Sequence, residues 1–288
     1  MSSQVAGQVH AIHTEVPRRV QWPRTGPARF RLSQIAAMPR PTVAASDTVD
    51  PAEIRRFAAL AEEWWAPAGK FRPLHALNPV RLGFIRGQAL AAFGRDPRQR
   101  APLTGLDVLD TGCGGGLLSE PMRRLGAAVV GLDAEEQALA VARRHAAEAE
   151  LEIDYRLGSA EELAASGAQF DLVLAMEILE HVADRDAFIA ACATLTRPNG
   201  LFIAATLNRT AKAFMLAIVG AEYVMGWLPR GTHDWRKFIR PSELTTSLRR
   251  NGLQVTALTG VSFDPIGGNW RLSRDLDVNY MLAATKPA

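Results

Sequence analysis

Glu177, Glu180 and His181 stand as E-x-x-E-H directly after the apolar run FDLVLAM, residues 170–176. Two carboxylates and an imidazole at this spacing suit one of two chemistries. His181 can serve as a general base, because its ordinary pKa lies nearest neutrality. Alternatively Glu177, Glu180 and His181 can hold a divalent cation such as Mg2+, Mn2+ or Zn2+, with Mg2+ the first choice. The bland alternative is that Glu180 and His181 only cap and solvate a short helix. A second histidine, His233, lies in Thr232-His233-Asp234 and is another candidate base; loop histidines are more often simply exposed.

A second constellation lies upstream. LDVLDTGCGGGLLSE, residues 106–120, carries four glycines behind a strand-like run. Glycines gather where something must approach the backbone closely. A dinucleotide site calls for G-x-G-x-x-G, and Leu117 occupies the third glycine's place. The pattern is instead D-x-G-x-G-x-G, beginning at Asp110. A carboxylate there repels a pyrophosphate and attracts a cation. Asp133 ends the next apolar run and can accept both hydroxyls of a ribose. Together Asp110, Gly112, Gly114 and Asp133 describe a nucleoside with an amino-acid-like tail and no phosphate, which fits S-adenosylmethionine. A tight turn with an incidental acid and an NAD site remain the alternatives.

Several elements must position these groups. Apolar runs at 106–110, 127–133, 151–157, 170–176 and 201–207 alternate with helical stretches near 117–126, 134–149 and 185–196. Such alternation predicts a parallel sheet covered by helices on both faces. Two further runs, 253–263 and 278–286, would close it as an antiparallel pair. The expected fold is α/β and Rossmann-like, a mostly parallel seven-stranded sheet with an antiparallel closing strand. Before it, Asp50-Pro51-Ala52-Glu53 reads as an N-cap, a proline at N1 and an acid at N3 of a helix reaching about Trp65. Asn78-Pro79 reads as the start of a second helix.

Residues 1–46 hold six arginines, five prolines and a single acid, Glu15. They have no helical or strand period and read as a disordered basic tail, or as an extension preceding a true start at Met38. Basicity confined to a tail argues against nucleic acid as a partner of residues 47–288. Cys113 and Cys192 are too few for a disulfide framework, which suits a reducing, cytoplasmic setting. The stretch 211–229 has only Lys212 and Glu222 as charges, but is too short and interrupted to span a bilayer. It reads either as a core helix or as an insertion lying on a membrane surface, with Lys212, Arg230, Arg236 and Lys237 toward anionic head groups.

The glycine segment resembles the first motif of class I S-adenosylmethionine-dependent methyltransferases. WWAPAGKFRPLHALNPVRLGFI (64–85), MEILEHV (176–182), TLNRTAKAF (206–214), VGAEYV (219–224), GTHDWRKFIRP (231–241) and DVNYML (277–282) together are similar to the bacterial ubiquinone-biosynthesis O-methyltransferase family. The likeness runs from about residue 50 to the end. It implies methylation of ring hydroxyls on polyprenylated catechols, such as 2-polyprenyl-6-hydroxyphenol and 3-demethylubiquinol. It implies cofactor contacts at Arg81, Gly112, Asp133 and Met176, with N-terminal helices over 50–95 and an insertion near 208–238. It implies peripheral docking on the inner membrane, and other ubiquinone-biosynthesis enzymes as partners. Ser159 stands where many such enzymes carry an acid for the adenine. The alternatives are a methyltransferase for another small phenol and a non-catalytic subunit that binds the donor and lipid.

Overall fold

The computed structural model describes residues 48–66, 69–216, 234–264 and 267–288. Five strands, β1 (Asp107–Thr111), β2 (Ala128–Asp133), β3 (Asp154–Leu157), β4 (Phe170–Met176) and β5 (Thr196–Leu207), form the parallel part of one sheet. β6 (Gln254–Asp264), β7 (Asn269–Ser273) and β8 (Asn279–Thr285) complete it, in the order β3-β2-β1-β4-β5-β8-β6-β7. β8 runs antiparallel to both β5 and β6. The closing pair is thus as expected, but the sheet has eight strands rather than seven. The extra strand, NWRLS, alternates polar and apolar residues but over only five positions, without the long apolar run that marks the other strands. The Gly267-Gly268 turn before it was the available signal.

The central strands are buried on both faces, which explains their unbroken apolar runs. Leu172, Val173, Leu174 and Ala175 in β4 and Phe202, Ile203, Ala204 and Ala205 in β5 are fully buried. The chain reverses its order of travel between β1 and β4, whose carboxyl ends lie side by side. Ligands of such sheets sit in the crevice at that switch point.

The N-terminal helices differ from the expectation. α1 (Pro51–Ala58) ends early, and a 3-10 turn at Ala61–Glu63 swings Trp64 inward. Trp64 is buried and stacks on Phe71 at 3.8 Å, against Leu117, Ala138 and Val141. Tertiary burial of an aromatic side chain outweighs continuation of the helix here. α2 (Arg72–Ala92) begins six residues before Asn78, with Pro73 in its first turn and Pro79 inside it. Pro79 lacks the N–H that would bond back to His75. The Asn78 side chain is used instead to donate to the Leu117 carbonyl at 2.8 Å, tying α2 to the glycine segment.

α3 (Ser119–Arg124), α4 (Glu136–Glu148), α5 (Ala160–Ala165), α6 (Arg185–Leu195) and α7 (Pro241–Arg250) cover the sheet. Among the described residues no helix is long and apolar enough to cross a membrane.

Candidate active site

A cavity of about 240 Å³ opens over the carboxyl ends of β1, β2 and β4, under α1. Arg81, Asp110, Gly112, Gly114, Asp133, Met176, Glu177, Glu180 and His181, all singled out in the sequence, line it. His233 and much of the 208–238 insertion lie outside the described residues.

Asp133 ends β2. Its Oδ2 accepts from Gly114 N–H at 2.8 Å and its Oδ1 from Glu135 N–H at 2.9 Å. Each oxygen has a second lone pair, so the carboxylate can still accept from two hydroxyls. Burial pushes its pKa up to about 6, although the two backbone donors oppose this. Asp110, in β1, is buried and accepts from Ser119 Oγ at 2.6 Å. Burial lifts it to about 6 as well, against Ser119 and the Arg81 charge.

Arg81 is 3% exposed. One Nη donates to Leu74 O and to Asn78 Oδ1, but its Nε has no partner. An orphaned buried guanidinium N–H is costly unless an anion completes it. Arg81, Asp110 and Asp133 therefore fit the carboxylate, ammonium and ribose of S-adenosylmethionine.

The glycines of this loop also admit close packing by the chain itself. A Cβ on Gly114 would lie 2.3 Å from the Trp64 ring, and one on Gly112 would lie 2.7 Å from Ile178. Both residues have positive φ, 50° and 68°. The missing side chains make room for the chain's own residues, packed closely on the loop. Trp65 adds a clamp, donating Nε1–H to Gly115 O at 2.8 Å.

In the same cavity Glu177 follows β4 with φ at 56°, an uncommon conformation for a non-glycine residue. Its N–H still bonds Ala205 O, while Asn279 Nδ2 donates to its Oε1 at 3.4 Å. Burial, then the neighbouring Glu180 charge, raises the Glu177 carboxyl well above the ordinary range. Glu180 is turned inward and accepts from Thr206 Oγ1 at 2.7 Å. His181 places Nδ1 3.3 Å from Glu53 Oε2.

These directions correct the three-ligand expectation. Residues 177–181 form a turn rather than a helix, so positions i, i+3 and i+4 do not share a face. Glu177, Glu180 and His181 each face a different partner. Among the described residues no three His, Cys, Asp or Glu side chains are grouped to hold a metal ion.

Ser159, without an acid's reach toward adenine, caps α5 in a reciprocal pair with Glu162. Glu53, Phe57 and Trp64 reach the cavity from α1 and the turn after it, contacts that no local pattern could signal. The cations expected to face lipid are paired: Lys212 with Asp275 and Asp277, Arg236 with Asp234, and Lys237 with Asp50 and Glu53. Arg230 lies outside the described residues.

Residues 109–204 match the model of a methyltransferase domain. A ubiquinone biosynthesis O-methyltransferase of Rhizobium etli is 55% identical over 247 residues, covering 86% of this chain and 100% of that protein. One from Parvibaculum lavamentivorans is 59% identical over 243 residues, 84% of this chain and 96% of its own. This chain belongs to the ubiquinone biosynthesis O-methyltransferase family. As a member it is an enzyme that transfers methyl groups to oxygen. The fold of this O-methyltransferase is shared with a magnesium protoporphyrin IX methyltransferase from Synechocystis solved with bound SAH. That structure has a TM-score of 0.59, is 22% identical and covers 82% of this chain and all of its own.

Proposed function

We propose that this chain binds S-adenosylmethionine across the ends of β1 and β2 and methylates a ring hydroxyl of a polyprenylated catechol held beside β4. The observation that carries this is one cavity lined by Arg81, Asp110 and Asp133 together with Glu177 and His181. Asp133 accepts the ribose hydroxyls, Arg81 Nε–H completes its bonding on the donor carboxylate, and Asp110 faces the ammonium. Gly112 and Gly114 keep the floor low, and Met176 packs against the apolar part of the donor.

The sulfonium supplies an already activated methyl group. What the chain must do is align the acceptor oxygen and remove its proton. A phenol with a pKa of about 10 is ionised at only about one part in a thousand at pH 7. His181 takes the hydroxyl proton. The oxygen's electron pair forms the new O–C bond, and the pair of the broken S–C bond stays on sulfur. Glu177, raised by burial, holds a proton near neutrality and hydrogen-bonds the second catechol oxygen. Single turnover with labelled donor tests the assignment: label should appear on a ring oxygen of a prenylated catechol.

Donor affinity should depend on pH with a definite sign. Asp110 and Asp133 bind the donor ionised, and burial has lifted both from 3.8 to about 6. Calorimetric affinity should hold at pH 7.5 and fall below pH 6, by about tenfold per pH unit for each carboxyl. Unfolding through these two groups would not mimic the loss. Their folded pKa values are raised, so between about pH 4 and 6 the native state binds more protons than the unfolded chain and gains from acid. Affinity constant from pH 7.5 to 5 would exclude both carboxylates from the site.

Peripheral docking on an anionic membrane suits a prenylated substrate. Phe214, Met215 and Leu216 are exposed side by side, with Trp235 also exposed. Leu216→Asp should reduce flotation with anionic vesicles severalfold while leaving donor affinity unchanged. Unaltered flotation would remove this patch from the docking face.

A further inference from the structure

Glu53 is the acid at N3 of α1. Asp50 caps α1, accepting from Ala52 N–H at 2.9 Å. Glu53 instead reaches across the cavity roof to His181, 128 positions away in sequence. We infer that Glu53 is a positioning residue for the base: its carboxylate holds His181 Nδ1–H and so presents Nε2 to the acceptor hydroxyl. This rests on the reading of His181 as the base.

The geometry is built to fix that contact. The His181 and Glu53 side chains are only 10% and 13% exposed. Phe57, one turn along α1, meets the imidazole edge-on at 5.2 Å and 89°, restricting its rotation. Arg56 Nη1 lies 3.1 Å from Glu53 Oε2, and Lys237 Nζ lies 3.5 Å from Oε1. Burial pushes the Glu53 carboxyl up, but His181, Arg56 and Lys237 outweigh it and hold it below its ordinary value. An ionised carboxylate only accepts, so the facing Nδ1 carries a proton. The second partner of an imidazole commonly sets its tautomer in this way.

α1 itself is anchored. Ala183 N–H donates to Thr48 O, and Thr48 Oγ1 donates to Glu161, both at 2.8 Å. Lys237 bonds Asp50 at 3.0 Å. The roof is thereby joined to the loop that carries His181.

A double-mutant cycle separates positioning from mere tethering. Glu53→Ala, Glu53→Gln, His181→Ala and the double alanine variant are assayed with saturating donor and a prenylated catechol. Donor binding by calorimetry reports whether each variant is folded. Glu53→Ala should lower kcat about 10- to 100-fold, with acceptor KM and donor Kd within about twofold, because a misaligned base loses part of a general-base effect of 10²–10⁴. Glu53→Gln, which keeps an acceptor of similar size, should recover part of that loss. In the His181→Ala background, Glu53→Ala should change kcat by no more than about twofold.

Equal losses in both backgrounds would show that Glu53 acts independently of His181 and overturn the inference. So would full kcat in Glu53→Ala while His181→Ala is crippled; the base assignment would then stand without it. Full kcat in His181→Ala would instead remove the base assignment and this inference together.

Discussion

Asp133→Ala should weaken donor binding by about 10²–10⁴-fold, measured by calorimetry with S-adenosylhomocysteine. The carboxylate is the terminal residue of β2 and faces the cavity with lone pairs available to two hydroxyls. Hydrogen bonds to a charged group are worth about 1.5–3 kcal/mol each, so losing two removes about 3–6 kcal/mol. The same change strands Gly114 N–H and Glu135 N–H, loosening the loop beneath the donor. The defect should lie in Kd rather than in kcat at saturating donor. Asp133→Asn should fall between, since one oxygen remains as an acceptor while its amide replaces the other with donors. Affinity within threefold of the parent would mean that the ribose is held elsewhere.

The second large effect belongs to His181. His181→Ala should reduce kcat by about 10²–10⁴-fold, the range of a positioned acid or base, with donor Kd unchanged. The chemical reason is the acceptor. A catechol hydroxyl gives up its proton reluctantly at neutral pH, and the transition state requires that proton to leave as the methyl arrives. Added imidazole should restore part of the rate if the missing function is proton acceptance. An acceptor already ionised at the assay pH, such as a nitrocatechol, should depend far less on His181. Equal losses on both acceptors would point to a packing role, and an unaltered kcat would exclude His181 as the base.

Much of the scaffold was legible because its signals are local. FDLVLAM became β4 residue for residue, since a strand buried on both faces must be continuously apolar. Asp110 and Asp133 were legible because each ends or nearly ends such a run, where a parallel sheet opens its crevice. The N-cap at Asp50 was likewise a matter of adjacent residues. What failed depended on distant contacts or on backbone conformation. Nothing around Glu53 indicates a partner at His181. The left-handed conformation of Glu177 defeats any argument from E-x-x-E-H spacing. That turn sends Glu180 toward Thr206 and separates three groups that look like ligands on a line of sequence.

The glycine segment shows a subtler limit. Its composition announced close approach, and a ligand was the natural candidate. In the structure the closest neighbours of Gly112 and Gly114 are Ile178 and Trp64. The glycine loop is therefore covered closely by the chain's own Trp64 and Ile178. Lys237 carries a similar lesson. Beside an apolar stretch it looked like a lipid contact, yet it pairs with Asp50 and Glu53.

Single turnover of methyl-labelled S-adenosylmethionine with a prenylated catechol tests the shared cavity most directly, run in parallel on the parent and on Asp133→Ala at donor concentrations below saturation. The account predicts label on a ring oxygen with the parent, and transfer reduced in proportion to lost donor affinity with the variant. Tight donor binding by the parent without transfer to any catechol would contradict it.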